Sequence, residues 1–399
     1  MTEKTSRSSG DAAGAPVILS NEPGSFAWGV LAKRHPALIQ QVRDAFPYGR
    51  RKHEALDALL NEITNGVMEP LAPGEYDRER WADWGQEHFG RSWYDAPFLW
   101  AESYFYRRLL GAVGYFGTGP WQGVDPFAPF KRAELRGKAV EDELRSLDAL
   151  VSVPADERAA ALLHASLWGN RADLGFRVSA GKPVAGDAAA PALVADDSAL
   201  LWRLLPVGGS STVAVVADNA GRELIPDLIL IDHLLEQRHA EQVVLHLKPY
   251  PYYVSDAMTA DVVDCLRRLT EAPGEARAIG GRLWKAMAAG SLEVRTHPFF
   301  CAPLSYEDMP EDLRGELESA TLTILKGDLN YRRLVGDRLW DAKTSFADLT
   351  AYFPGAVAAL RTLKSDVIIG LEQEALDALE RSGVAWRTSG THALIQVRR

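Results

Sequence analysis

The sequence predicts an α/β fold: a three-layer α/β/α core around a mainly parallel sheet, preceded by an N-terminal helical lobe. Three observations carry this. From residue 211 onward, short apolar runs alternate with helical stretches, the pattern of strands joined by helical crossovers. Runs such as VAVV (213–216) and VVLHL (243–247) suit strands buried on both faces. Between residues 26 and 169 the apolar residues instead recur at helical spacing, punctuated by Pro and Gly.

Taken in order, residues 1–16 are rich in Ser, Gly and Ala without a hydrophobic signal core, and read as a disordered lead-in. The helical lobe spans 17–178. Leu31, Leu38, Ile39 and Val42 fit one helix, and Leu56, Leu59, Leu60 and Ile63 another. The segment 98–116, FLWAESYFYRRLLGAVGYF, predicts a helix burying Leu99, Phe105, Leu109 and Val113. Its Glu102, Arg107 and Arg108 either pair with each other or face water, or Glu102 and Arg107 support a pocket wall. A helix over 156–167 leads into Trp168-Gly169-Asn170-Arg171-Ala172-Asp173-Leu174-Gly175, read as a capped turn or as polar groups at the lobe boundary. Residues 179–197, rich in Ala, Gly, Asp and Pro, read as a surface linker, and 198–399 as the α/β/α metal-binding catalytic domain. Within it the expected strands are 213–217, 243–247, 292–295, 322–325, 367–369 and 393–397. Apolar stripes at Leu224, Leu228, Ile231, Leu235 and at Val262, Leu266, Leu269 mark helices between them.

The net charge of -10 argues against a nucleic-acid or anionic-membrane partner, either of which needs a basic face. It leaves room for a small anion in a locally positive pocket. Two cysteines, Cys265 and Cys301, argue against a disulfide framework or a thiolate zinc site and suit a reducing cytosol. No apolar run approaches the roughly 18 residues of a membrane span. The expectation is a cytoplasmic protein.

The chemistry-bearing stretch is 213–256. Strand, turn, helix and strand place Asp218 beyond the first strand end and Asp256 beyond the second, on the rim where open α/β sheets bind ligands. Two carboxylates and the Asn219 amide there suit a hard divalent cation. The bland alternative is that Asp218 or Asn219 merely caps the following helix. It leaves the second carboxylate, at the matching place, as a coincidence. A second cluster, Lys326-Gly327-Asp328-Leu329-Asn330-Tyr331-Arg332-Arg333, follows a strand and reads as an anion cradle or a charged turn. A third, Arg361-Thr362-Leu363-Lys364, brings a lysine that either binds phosphate or is solvated. His246 and His297 lack partners at metal-ligand spacing and read as packing residues. Lys248 faces either the site or solvent.

Together these segments resemble the damage-control phosphatases of domain-of-unknown-function family 89, and within it the third, acidic-residue methyltransferase-like subfamily. The resemblance rests on Asp218-Asn219-Ala220-Gly221, KPYPYYVSD at 248–256, KGDLNYRRLVGDRLW at 326–340 and the RTxK signature at 361–364. WAESYFYRR and WGNRADL look like further landmarks, and coverage runs from about residue 17 to the C-terminus. One departure is Gly175, where serine is expected after the Asp-Leu pair. The resemblance implies that Asp218, Asn219 and Asp256 bind manganese, nickel, cobalt or magnesium. It implies that Gly327, Asp328, Leu329, Asn330, Tyr331 and Lys364 hold a small phosphorylated metabolite, with fructose phosphates among the known substrates.

The expected activity is therefore metal-dependent hydrolysis of small phosphomonoesters, with Asp218, Asp256 and Lys364 catalytic. The nucleophile is either a water on the ion or Asp218 itself. An S-adenosylmethionine-dependent carboxyl methyltransferase is the rival, weakened because the turn after 213–217 carries one glycine rather than a Gly-rich nucleotide loop. A non-catalytic sugar-phosphate-binding protein is a further alternative, disfavoured because binding alone needs no Lewis acid.

Overall fold

A computed structural model describes residues 14–169 and 192–399. Its centre is a seven-stranded sheet: β1 (Ala192–Asp196), β2 (Thr212–Val216), β3 (Gln242–Leu247), β4 (Leu292–Thr296), β5 (Leu322–Lys326), β6 (Val357–Thr362) and β7 (His392–Arg398). The spatial order is β1-β7-β6-β5-β2-β3-β4, and neighbours run parallel except the antiparallel β6–β7 pair. β2 lies between β3 and β5, in register Val216↔His246 and Val216↔Leu325.

Side chains alternate along each strand, so each face of the sheet has its own core. Ala214, Val216, Leu325 and Ala359 join a cluster with Trp93, Trp100, Tyr104 and Phe105. Val213, Val215, Ala217, Leu245 and Ile324 join Leu144, Leu162, Leu228 and Leu266 on the other face. The architecture is helix, sheet, helix, as the alternation predicts. The helix Leu224–Glu236 between β2 and β3 is buried along nearly its whole length, wider than the single stripe read from sequence.

The helices of the first half do not stand apart as one body. Those at His35–Ala45, Arg50–Asn65 and Phe98–Val113 pack in the first cluster, whereas Ala128–Leu135, Lys138–Ser146 and Ala155–Trp168 pack in the second. The N-terminal chain therefore wraps both faces of the sheet. The helix Phe98–Val113 ends as a glycine lets it end, with Gly114 at φ 87 and its N–H turned back to Leu110 and Gly111.

Two expectations need correction. Residues 192–196, taken into the linker for their Ala/Asp composition, form the edge strand β1 against β7. Residues 367–369 are buried but form no strand. The backbone oxygens of Val367 and Ile369 are taken by the side chains of Arg361 and Gln396 instead of a ladder. The strand is β6, ten residues earlier, where Ala358 and Ala359 lack the β-branching that marks strands in sequence. Most of the lead-in, the 168–175 turn beyond Gly169 (with Gly175) and the linker up to 191 lie outside the described residues. No helix among the described residues is long and apolar enough to cross a membrane.

Candidate active site at the sheet rim

Asp218 and Asp256 come together because the loop after β3 folds back onto the turn after β2. Ala220 N–H donates to Ser255 O at 2.6 Å, Ala257 N–H to Asp218 O at 2.9 Å and Lys248 N–H to Ala257 O at 3.1 Å. Asn219 and Asp256 form an isolated antiparallel bridge. This zipper delivers both carboxylates and the Asn219 amide to one cavity of about 290 Å³. The helix-cap alternative is not what the structure shows, since the helix Leu224–Glu236 begins at Glu223 without a side-chain cap.

The electrostatics of this corner are one-sided. Burial first, then the Glu223 and Asp256 carboxylates, push Asp218 well above the usual carboxylate range, and Lys364 and Lys248 offset this only in part. Asp256 is also raised by burial, against the opposing pull of Lys248 and the Tyr253 N–H, which donates to its Oδ2 at 2.7 Å. The Asn219 amide nitrogen donates to Asp218 Oδ2 at 3.2 Å and Glu223 Oε2 at 3.0 Å. Lys364, from the loop after β6, lines the same cavity with its Nζ 3.6 Å from Glu223 Oε1. Burial alone would pull its ammonium down, but Glu223, Asp218 and Asp328 hold it above its ordinary value, so it stays charged.

The loop after β5 contributes in a more divided way than expected. Gly327 sits at φ 84, and a Cβ there would lie 1.8 Å from Asp218 Oδ2, so only glycine lets the two strand ends close up. It opens the helix Gly327–Val335, whose first N–H groups have no intrahelical acceptor. Asp328 and Leu329 line the cavity. Asp328, however, is committed to Arg361, whose Nε donates to its Oδ1 at 2.8 Å, and to the Ser365 hydroxyl at 3.0 Å. Burial would raise Asp328, yet Arg361 and Arg332 hold it below its ordinary value. The side chains of Asn330 and Tyr331 do not reach the cavity. Asn330 donates to Ala217 O and Lys326 O and accepts from the Tyr306 hydroxyl, fixing the end of β2 from behind. Tyr331 donates to Gln396 and stacks beneath the Arg361 guanidinium. Both are buried supports, because the helix turn that exposes 327–329 rotates 330 and 331 into the core.

Arg361 is itself fully buried, bonded also to Ser365 and to Val367 O. It pins the loop that carries Lys364. Lys248 faces neither solvent nor the cavity; it is buried, with its ammonium 5.9 Å from the rings of Tyr252 and Phe300. His246 is buried in β3 and driven down to about 4 by burial, while His297 caps a short 3-10 turn.

The facing wall comes from the first half of the chain. Glu102 lines it, accepting from Arg332 Nη1 at 3.2 Å and from the Tyr253 hydroxyl at 3.3 Å. Arg107 points the other way, to Asp77, Glu75 and Tyr76 O, so only one of the two charges expected there serves the cavity. Sequence reading missed Phe26, Arg34, Tyr106 and Glu134, which complete the wall. They sit on separate helical segments, and no local spacing signals that these converge.

A family model, the Damage-control phosphatase ARMT1-like domain, matches residues 30–379. The chain belongs to this family. Its relatives include Damage-control phosphatase ARMT1 of Xenopus laevis, 30% identical over 94% of this chain and 96% of the relative. The protein of the same name from Homo sapiens is 28% identical over 96% and 98%, and that of Danio rerio 29% over 94% of each. Among solved structures, a DUF89 family protein from Pyrococcus horikoshii superposes with a TM-score of 0.51 at 13% identity, covering 93% of this chain and 98% of its own, a likeness of fold.

The rim of this ARMT1-like chain also fits a cation on its own chemistry. Among the described residues neither the Asp218 nor the Asp256 carboxylate forms an ion pair with Lys or Arg, although Asp256 is buried and Asp218 half-buried, and Lys131 reaches only the Asp256 backbone oxygen, at 3.3 Å. Enclosed, adjacent, unpaired carboxylates are costly unless a proton or a metal ion neutralises them. No group of three or more His, Cys, Asp or Glu side chains gathers at metal-binding distance among the described residues. The donor set here is two carboxylates and an amide, with Glu223 taken up by Asn219 and Lys364. Oxygen-only donors of this kind suit magnesium or manganese, and borderline ions such as cobalt or nickel.

Proposed function

We propose that this chain hydrolyses small phosphomonoesters, sugar phosphates such as fructose phosphates among them, with a divalent cation held by Asp218, Asn219 and Asp256. The observation that supports it best is the pair of enclosed carboxylates lacking a cationic partner, beside a charged lysine and an open helix amino end in one cavity. When bound, the cation supplies Lewis-acid neutralisation of a phosphate oxygen. Lys364 binds a second oxygen as a point charge, and Glu223 orients it from 3.6 Å. The N–H groups of Gly327, Asp328 and Leu329 face the remaining oxygens at the positive end of the helix. Asn219 keeps the Asp218 carboxylate turned by its 3.2 Å bond. Hydrolysis breaks the ester P–O bond, water supplies the new one, and the departing alkoxide takes up a proton.

The test is release of inorganic phosphate from a panel of sugar phosphates, with and without manganese, cobalt, nickel or magnesium. Metal-stimulated release from at least one member is expected. Release that persists unchanged in a chelator, or none with any ion, overturns the reading. Borohydride trapping during turnover separates the two routes of attack. Label from oxygen-18 water reaches the first phosphate released on either route if water attacks phosphorus, so the trap decides. An acyl phosphate on Asp218 is reduced to the homoserine alcohol, and direct attack by water leaves nothing to trap.

A further inference from the structure

The cavity carries a cation that the hydrolysis above does not use. Arg34 closes a one-turn π-helical segment, Val30–Arg34, and lines the cavity alongside Phe26, Glu102 and Tyr106. Among the described residues its guanidinium makes no ion pair and no hydrogen bond. The other guanidinium on this wall, Arg332, is buried and consumed: Glu102 takes one nitrogen and Asp337 the other two at 2.7 and 3.0 Å. Arg332 thus serves two carboxylates, and Arg34 acts on Glu102 only through space, with no ion pair between them. Arg34 stands on the wall built by the first half of the chain, with Phe26, Glu102 and Tyr106, whereas Lys364 comes from the loop after β6 and pairs with Glu223, the residue bonded to Asn219. Lys364 and Arg34 therefore mark different parts of the cavity.

The backbone that carries Arg34 is held firmly. His35, the next residue, is fully buried, stacked on Phe105 at 3.7 Å and edge-on to Tyr106 at 5.8 Å. A π turn re-aims the residues it carries, and such turns recur at functional sites. Here it presents an unpaired, planar, five-donor group to a small cavity already equipped to hold a phosphate elsewhere.

We propose that Arg34 forms a second anion subsite, selecting phosphomonoesters that carry a further anionic group, carboxylate or phosphate, remote from the ester cleaved at Asp218. The assignment of which part of the cavity takes the ester rests on the phosphatase reading; the existence of the subsite does not. A carboxylate meets the guanidinium through two parallel charge-assisted hydrogen bonds, a geometry a hydroxyl does not reproduce.

The test compares two six-carbon probes differing at one carbon: 6-phosphogluconate, with a terminal carboxylate, and glucitol 6-phosphate, with a hydroxymethyl in its place. Binding is measured by calorimetry and phosphate release is followed in parallel, on the full chain with manganese. Wild type is expected to bind 6-phosphogluconate roughly tenfold or more tighter. Arg34→Met should bring the ratio to about one, and Arg34→Lys, which keeps the charge but not the fork, should retain part of it. An unchanged ratio in Arg34→Met, no preference in wild type, or binding of neither probe overturns the subsite. Should the ratio track Arg34 while no phosphate is released from any ester, the subsite stands and the phosphatase reading falls. Release with a ratio indifferent to Arg34 removes the subsite and leaves the phosphatase reading standing.

Discussion

Asp218 and Asp328 follow neighbouring parallel strands, line one cavity, and live in opposite electrostatic worlds. Asp328 is held by Arg361 and Ser365 and lies below its ordinary value. Asp218 is pressed by Glu223 and Asp256 and lies well above it. Position on the rim is thus shared, and what separates a structural carboxylate from one suited to a cation is whether the protein supplies the counter-charge. An enclosed acid with its own arginine is neutralised within the chain; one without needs a proton or a cation.

The largest expected effect lies in function. Asp218→Asn should lower phosphate release by about 10²–10³-fold while leaving the unfolding midpoint equal or higher, because it relieves repulsion. Near-normal turnover with normal metal dependence in that variant would break the comparison. Asp328→Asn should do the reverse to stability. It strands the fully buried Arg361, and should cost about 3 kcal/mol in urea unfolding.

A smaller effect follows from metal itself. Manganese at a hundred times its dissociation constant should stabilise the wild type by about 2.7 kcal/mol, raising the thermal midpoint by several degrees. Asp328→Asn should keep this increment from its lower starting point, and Asp218→Asn should lose it. Equal increments in both variants would place the ion elsewhere.

The smallest effect is on pH dependence without metal, and its sign differs between the two acids. For Asp218 the folded value is raised, so its contribution is full below the ordinary 3.8 and is lost as pH rises through the folded value. For Asp328 the folded value is lowered, so its contribution is present above 3.8 and is lost as pH falls through the folded value. Urea midpoints against pH should therefore show Asp218→Asn flattening the decline on the alkaline side of 3.8 and Asp328→Asn the decline on the acid side.

Much of this arrangement is legible in the sequence, and the parts that are not share a physical cause. The runs at β2, β3 and β5 announce themselves by β-branching and by the polar residues that follow, and these position Asp218, Asp256 and Gly327. β6 is hidden by alanines, and β1 by a composition that reads as linker until β7 pairs with it. Asn330 and Tyr331 belong to the right segment, but only the helix rotation shows that their side chains serve the core. Arg34 and Glu134 are brought to the cavity by tertiary packing alone, which no spacing along a helix encodes.

The way the first half of the chain clasps both faces of the sheet bears on how the molecule comes off the ribosome. The helices up to Trp168 are made before any of the seven strands of the sheet, and their apolar faces, around Trp100 and Phe105 on one side and Leu144 and Leu162 on the other, await a surface still untranslated. At typical elongation rates the interval before β5 emerges is on the order of ten seconds. Nascent chains cut short before β5 should accordingly be sticky and dependent on chaperones, because the cavity's wall is synthesised well before the floor that steadies it.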